Sequence, residues 1–290
     1  MIWHSYHIYY YDQLKQDSLI LYICNQMEQA ALNNTISKWF YIRYWEGGPH
    51  IRLRYLSEFE HSEIIEAIND FVQANKSGIR ISKQAYYESI NLNSEGDTRQ
   101  LEQLPWYPEG EIVNILYKPE YERYGGNEAI GMSETLFMYS SLLAAEIISK
   151  LKSSSFIIRW LTALNFMNEL LSYLDNHQYL NIPAIDFLNN CTQFWRNSSG
   201  ELPDSVRKML KLNYEKSNKD IQIRLEQVLF VECAALFQQI AAGISTLYCV
   251  INDDTAFRKI IFSHMHMFNN RLGVEPLYEN ELYSTLIGGV

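Results

Sequence analysis

Between Trp39 and Tyr55 the chain reads WFYIRYWEGGPHIRLRY, two alternating runs flanking Glu46-Gly47-Gly48-Pro49. Glycine tolerates positive φ and proline presets its own, so the four residues form a turn and the flanks a β-hairpin. Alternation gives each strand two faces. With a four-residue turn, Phe40, Ile42 and Tyr44 share one face with Ile51, Leu53 and Tyr55. Tyr41, Arg43 and Trp45 then share the other with His50, Arg52 and Arg54, and Arg43 lies across from Arg52. Like charges set opposite each other destabilise a sheet, so a face with three guanidinium groups is expected to meet an anion. A solvated face is the plainer explanation of strand arginines. The interleaved Tyr, Trp and His favour a half-buried pocket wall.

The surrounding pattern predicts how this hairpin is housed. Residues 2–11 alternate and predict a strand; residues 12–32 predict a helix with Leu14, Ile20, Leu21, Cys24 and Met27 inward. Residues 58–75 predict a second helix, with Phe59, Ile64, Ile65, Ile68, Phe71 and Val72 inward, and 79–92 a further strand. That order, β-α-β-β-α-β, is a split-βαβ, ferredoxin-like arrangement. Two helices cover its aliphatic face, and the arginine face is left open. Residues 93–110 read as a loop and 111–118 as a short strand ended by Pro119. Gly125-Gly126 permits a sharp turn into a helix. Helices are then predicted over 127–152, 154–176, 183–196, 203–216, 219–251 and 254–272, with a loop at Asn197–Gly200. Asp253 or Asp254 caps the last helix, and Gly273 takes its C′ position. The expected fold class is α+β: a ferredoxin-like βαββαβ sheet part, 1–126, packed as one compact unit with an all-helical part, 127–290.

Bulk properties exclude several classes. A net charge of −10 argues against direct nucleic-acid binding, although it permits a local basic pocket. No apolar run approaches the roughly 20 residues of a bilayer span. The N-terminus lacks a basic region and an apolar core, so no signal peptide is expected. Cys24, Cys191, Cys233 and Cys249 are scattered, as buried free thiols of a cytoplasmic protein are. There is no P-loop, Rossmann glycine motif or nucleophile elbow, and no cofactor or metal is expected.

The chemistry-bearing residues are few. Arg52 and Arg54 are two apart on a strand and project to one side, a geometry suited to a carboxylate. Glu120 and Arg123 are three apart in YKPEYERYGG; the plain reading is a surface ion pair worth at most about 1 kcal/mol, and Glu122 competes for it. His264 and His266 form His-x-His, but positions i and i+2 of a helix do not face each other, which disfavours a metal. Asn270 lies one turn from His266 and is placed to orient its ring. Arg271 suits a helix C-terminus.

Taken together and in order, RYWEGGPHIRLR, YKPEYERYGG, the ETLF stretch and HMFNNRLG resemble the thiopeptide-type bacteriocin biosynthesis family. That family includes the elimination domain of class I lanthipeptide dehydratases and free-standing relatives. The resemblance implies elimination residues at Arg52, Arg54, Arg123 and His266, and a site residue at Glu120. Arg43, His50 and Asn270 are added as substrate-contacting neighbours. It implies removal of glutamate from glutamylated Ser or Thr of a precursor peptide, giving dehydroalanine or dehydrobutyrine. The expected partners are that peptide and a separate glutamyl-tRNA-dependent glutamylating protein, since the chain is short for both activities; a homodimer stays open. A pyridine synthase joining two dehydroalanines and a non-catalytic binding module are the alternatives. One departure is Ser140-Ser141, where the family often has Asp-Ser, so no site role is expected of that helix.

Overall fold

The computed structural model describes residues 1–90, 99–151, 155–199, 201–216 and 219–289. The chain forms two compact units, Met1–Pro119 and Glu120–Val290. The first contains β1 (Ile2–Tyr9), α1 (Gln16–Leu32), β2 (Ile36–Tyr44), β3 (His50–Ser57), α2 (Ser62–Ala74), α3 (Lys83–Ser89) and β4 (Ile112–Asn114). The sheet order is β2-β3-β1-β4 with every pair antiparallel, which is the split-βαβ order. Helices α1 and α2 cover one face, where Tyr22 stacks on Phe71 at 4.4 Å. Leu14 and Phe59, expected inward, precede their helices and are exposed.

The fourth strand is not the one expected. Within 79–92, residues 83–89 form α3, capped by the Ser82 hydroxyl, which accepts from the Ala85 amide at 3.2 Å. Tyr86 and Tyr87 both turn inward against Leu104, Trp45 and Trp106. Two adjacent side chains turned into one cluster are incompatible with the alternating faces of a strand. The sheet edge is filled instead by β4; Asn91 and Leu92 lie outside the described residues, as do 93–98 of the expected loop.

The hairpin register also differs from expectation. Tyr44 pairs with His50, Ile42 with Arg52 and Phe40 with Arg54, whereas Arg43 pairs with Ile51. The loop is therefore five residues, Trp45 to Pro49, not four. A slip of one residue moves every side chain of a strand to the other face. Arg43 thus leaves the arginine face and ties β2 to α1, donating to Gln16 Oε1 at 3.1 Å and Asp17 Oδ1 at 2.6 Å. Two arginines, not three, share the remaining face. The longer loop needs Gly47 and Gly48 at φ 89° and 113°. A Cβ on Gly47 would lie 2.9 Å from both Tyr107 and the Tyr9 hydroxyl, so glycine is required there.

The second unit is helical: α4 (Gly126–Leu151), α5 (Phe156–Asn176), α6 (Ala184–Ser199), α7 (Asp204–Glu215), α8 (Lys219–Glu226), α9 (Ala234–Val250), α10 (Asp254–Leu272) and α11 (Pro276–Gly289). Trp160, Phe257, Phe268 and Leu247 are among its fully buried side chains. Asp253 caps α10 by accepting from the Thr255 and Ala256 amides, and Gly273 closes it at φ 82°. The expected helix 219–251 is broken by a π-helical turn, Gln227–Glu232, with a 66° bend before α9. Helix α6 runs through the expected loop to Ser199; Gly200 lies outside the described residues, as do 152–154 at the expected junction of α4 and α5. Helix α11 was not predicted, because its polar residues turn inward and blur the amphipathic pattern: Glu279 and Asn280 are buried. Cys24, Cys191 and Cys233 are buried free thiols, but Cys249 is exposed. Among the described residues no single helix is long and apolar enough to cross a membrane; only the bent pair Ile221–Glu232 and Ala234–Val250 meets that length and composition together.

The Arg43–Asp17 tie makes the register testable. Losing a hydrogen bond between charged groups costs about 1.5–3 kcal/mol, so Arg43→Met should lower the unfolding free energy by that amount in urea titrations. The double variant Arg43→Met/Asp17→Leu should recover part of the loss, since no unpaired charge is left behind. An unchanged midpoint in Arg43→Met would show that the arginine does not make this tie.

Candidate active site

In the first unit, the ladder arranges three rows on the face opposite α1 and α2. Ser5, Arg54 and Phe40 form one, His7, Arg52 and Ile42 the next, and Tyr9, His50 and Tyr44 the third. The face is lined with rings rather than left open as expected. Tyr107 stacks on Tyr9 at 4.6 Å, and the Arg54 guanidinium lies 4.6 Å from the Tyr117 ring centre and 5.5 Å from that of Phe40. Aromatic faces attract cations, so they hold the guanidinium without neutralising it.

Arg52 is more tightly fixed. Its Cζ lies 3.4 Å over the Tyr44 ring, and Nη2 faces Glu46 Oε2 at 3.5 Å. Its Nε donates to His50 Nε2 at 3.2 Å. The His50 Nδ1 lies 2.8 Å from the Gly48 carbonyl, which only accepts, so Nδ1 carries the proton and Nε2 offers its lone pair to Arg52. Burial, with Arg52 and Arg54 nearby, pushes His50 down to about 3, and burial with the same arginines pushes His7 to about 2. Both imidazoles are neutral, so the fixed charges of this face are the arginines. His50 positions Arg52, and the structure keeps Arg52, Arg54 and His50 together while removing Arg43.

In the second unit, Arg123 donates to Glu120 Oε2 at 3.2 Å, an exposed pair, and to the buried Ser263 hydroxyl at 3.1 Å. Ser263 lies one turn before His266 on α10. The His266 Nδ1 is 2.7 Å from Oε1 of the fully buried Glu279, and the Trp195 ring is 5.1 Å away. A bond that orients the ring thus comes from Glu279 of α11. Burial raises the Glu279 carboxyl, while His266, Asn269 and Arg123 pull it back. With Glu279 ionised, Nδ1 holds the proton and Nε2 presents a lone pair, the arrangement of a general base. No sequence signal singled out Glu279, which lies beside Asn280 and Glu281 in the segment YENELY.

His264 is different. Its ring sits 5.3 Å from both Tyr124 and Phe137, and its Nε2 is 3.3 Å from the Ser133 hydroxyl. Burial, with Arg271 and Arg123 nearby, lowers it to about 3. It is a neutral packing residue. Arg271 is not a surface cation: it is buried, donating to the Ser141 hydroxyl and the Met267 carbonyl, both at 2.9 Å. The serine pair of α4 therefore contacts the C-terminal motif after all, through Ser141. Among the described residues no three His, Cys, Asp or Glu side chains are placed to hold a metal ion.

The neutral histidines predict acid lability. Below about pH 6.5 the unfolded chain takes up protons that His50 and His264 refuse until about pH 3. The unfolded state then binds more protons, so stability falls as pH drops through that window. Imidazole NMR titration should show both rings silent from pH 8 to pH 5, with the His50 proton on Nδ1. A normal titration of His50 near pH 6.5 would contradict the Arg52–His50 bond.

The sequence matches the family described as "Lantibiotic biosynthesis dehydratase C-term" over residues 3–288. It is 27% identical over 293 residues to the epidermin biosynthesis protein EpiB of Staphylococcus epidermidis, covering 97% of this chain and 25% of that protein. The fold is similar to that of the tRNA-dependent lantibiotic dehydratase MibB from Microbispora sp. 107891, with a TM-score of 0.58 and 16% identity over 100% of this chain and 28% of that one. It is also similar to TbtD, a pyridine synthase from thiomuracin biosynthesis, with a TM-score of 0.65 and 14% identity over 100% and 97%. The chain thus spans about a quarter of EpiB and MibB, and at these identities the structural likeness is one of fold alone. The match over nearly the whole length, with the α+β architecture described above, places the chain in the lantibiotic dehydratase C-terminal family.

Proposed function

We propose that this chain removes glutamate from glutamylated Ser or Thr side chains of a precursor peptide, leaving dehydroalanine or dehydrobutyrine. The observation that carries the reading is the His266–Glu279 pair at 2.7 Å, which gives the second unit an oriented imidazole. His266 Nε2 takes the Cα proton of the esterified residue. The freed electron pair forms the Cα=Cβ bond as the Cβ–O bond breaks, and glutamate leaves as its carboxylate. The proton stays on His266 until solvent takes it. Arg123 offers positive charge to the enolate developing on the adjacent carbonyl, and Glu120 holds Arg123. Arg52 and Arg54 recognise the glutamyl carboxylate. A separate glutamyl-tRNA-dependent protein supplies the ester, consistent with the net charge of −10 on this chain.

A second reading is pyridine formation from two dehydroalanines. It is favoured by the fold match to TbtD over 97% of that chain.

The test is single-turnover release of glutamate from a preformed glutamyl-ester peptide, followed by mass spectrometry. Arg52→Ala and Arg54→Ala should each lose on the order of 10²–10³ in rate, the loss seen when one preorganised donor is removed. His266→Asn should lose about 10²–10⁴. His264→Asn should retain the rate and lose only stability. Activity in His266→Asn with none in His264→Asn would reverse the assignment. A wild type that ignores the ester but closes a ring on a bis-dehydroalanine peptide would establish the second reading instead.

A further inference from the structure

Glu46, in the hairpin loop, is shared between two arginines of the first unit. Its Oε1 accepts from Arg99 Nη2 at 2.5 Å, while its Oε2 is 3.5 Å from Arg52 Nη2. Charge-assisted N–H···O bonds run at about 2.7–2.9 Å, so the carboxylate is bonded to Arg99 and only faces Arg52. The backbone on either side of Glu46 is held. The Trp45 carbonyl accepts from the Tyr86 hydroxyl at 3.0 Å, and the Gly47 amide donates to the Tyr87 hydroxyl at 2.8 Å. The Gly47 carbonyl accepts from the Tyr107 amide at 2.9 Å. Arg99 in turn precedes a capped turn, Leu101–Gln103, that leads into the buried Leu104. Both partners of the short bond are thus carried by fixed backbone.

Glu46 matters because of what Arg52 offers. That guanidinium already gives its Nε to His50 and its face to Tyr44. A substrate carboxylate must use the Nη groups, and Glu46 is the protein's own carboxylate at that edge. Two carboxylates brought to one guanidinium repel each other. We propose that Arg99 is a positioning residue that holds Glu46 back from Arg52, so that Arg52 receives the glutamyl carboxylate of the substrate instead of an internal one. Arg99 acts through Glu46 and not on the ligand. The inference rests on the reading of Arg52 as a carboxylate-recognition residue.

Removing Arg99 takes away the short bond, and the carboxylate turns to the cation it already faces. The Arg52 side chain is 15% exposed against 43% for Arg99, so the new pair is less screened by solvent and salt than the old one. Removing Glu46 does the opposite and clears the edge of Arg52. A mere loss of positive charge at Arg99 would also weaken anion binding, but it would do so whether or not Glu46 is present. The two accounts separate in the double variant.

The experiment titrates wild type, Arg99→Gln, Glu46→Gln and the double variant with free glutamate, read by the side-chain ¹⁵N NMR signals of Arg52. KM and kcat for glutamate release from the preformed ester are measured beside it. Arg99→Gln should shift the Arg52 Nη signals before any ligand is added, because Glu46 then bonds there. It should weaken glutamate binding and raise KM about five-fold with kcat unchanged, the upper end of what an exposed ion pair contributes. Arg99→Lys should restore most of the loss. Glu46→Gln should tighten binding by a similar factor, and the double variant should bind as Glu46→Gln does. Equal weakening by Arg99→Gln in both backgrounds overturns the proposal, as does an unshifted Arg52 signal in Arg99→Gln or an unaltered affinity in Glu46→Gln. Glutamate that leaves Arg52 unperturbed in wild type and Glu46→Gln alike removes the carboxylate role of Arg52 and the proposal with it. The expected Arg52 shift and double-variant pattern in a protein whose wild type releases no glutamate from the ester uphold the role of Arg99 and sink the elimination reading. Release by wild type without that pattern does the reverse.

Discussion

The five-residue loop from Trp45 to Pro49 fixes what the arginine face is. Its length sets the pairing of Tyr44 with His50, and every row of the face follows from that pairing. The loop also acts directly on the site. Gly47 and Gly48, both at positive φ, bring the Gly48 carbonyl to within 2.8 Å of His50 Nδ1. That carbonyl decides the His50 tautomer, and the tautomer gives Arg52 its acceptor. A backbone conformation available to glycine is in this way converted into the aim of a guanidinium four and five residues away. The same register sends Arg43 to α1, where it becomes a structural tie.

Histidines of the same intrinsic chemistry are given opposite tasks by their surroundings. His50 and His264 have desolvation and nearby arginines working against their charge and, among the described residues, no carboxylate bonded to either ring. They serve as neutral hydrogen-bonding and packing groups. His266 instead has the Glu279 carboxyl 2.7 Å from its Nδ1. Only two residues separate His264 from His266, but on a helix that turns the side chains by about 200°. One ring enters an aromatic cage formed by Tyr124 and Phe137; the other meets α11.

The first three strands, the positions of α1 and α2, most of the helical boundaries and the α10 caps were legible because each rests on local periodicity or capping chemistry. Arg52 and Arg54 were legible as a pair because residues two apart on a strand share a face in any register. The placement of Arg43 was not, since it depended on whether a turn held four residues or five, and Trp45 fits either a strand or a loop. Tyr86 and Tyr87 imitated a strand because aromatic residues favour strands, while a Ser82 cap and a shared aromatic core decided for helix. Glu279 escaped because its partner is thirteen residues away and its helix hides polar side chains inside. Pairings of that kind are set by tertiary packing, and no periodicity within α11 announces them.

The two sets of residues also divide permanent charge from titratable charge. Arg52 and Arg54 stay protonated across the physiological range even though burial lowers Arg52 somewhat, and the imidazoles beside them stay neutral. The arginine face therefore presents a constant charge from mildly acid to alkaline pH. In the second unit the fixed charge of Arg123 stands near the hydrogen-bonded His266–Glu279 pair. An ionisable His beside Arg52 would blur that separation, because its protonation would change the field of the arginines. Keeping His50 and His7 neutral through burial is what lets histidines serve on the arginine face without compromising that separation.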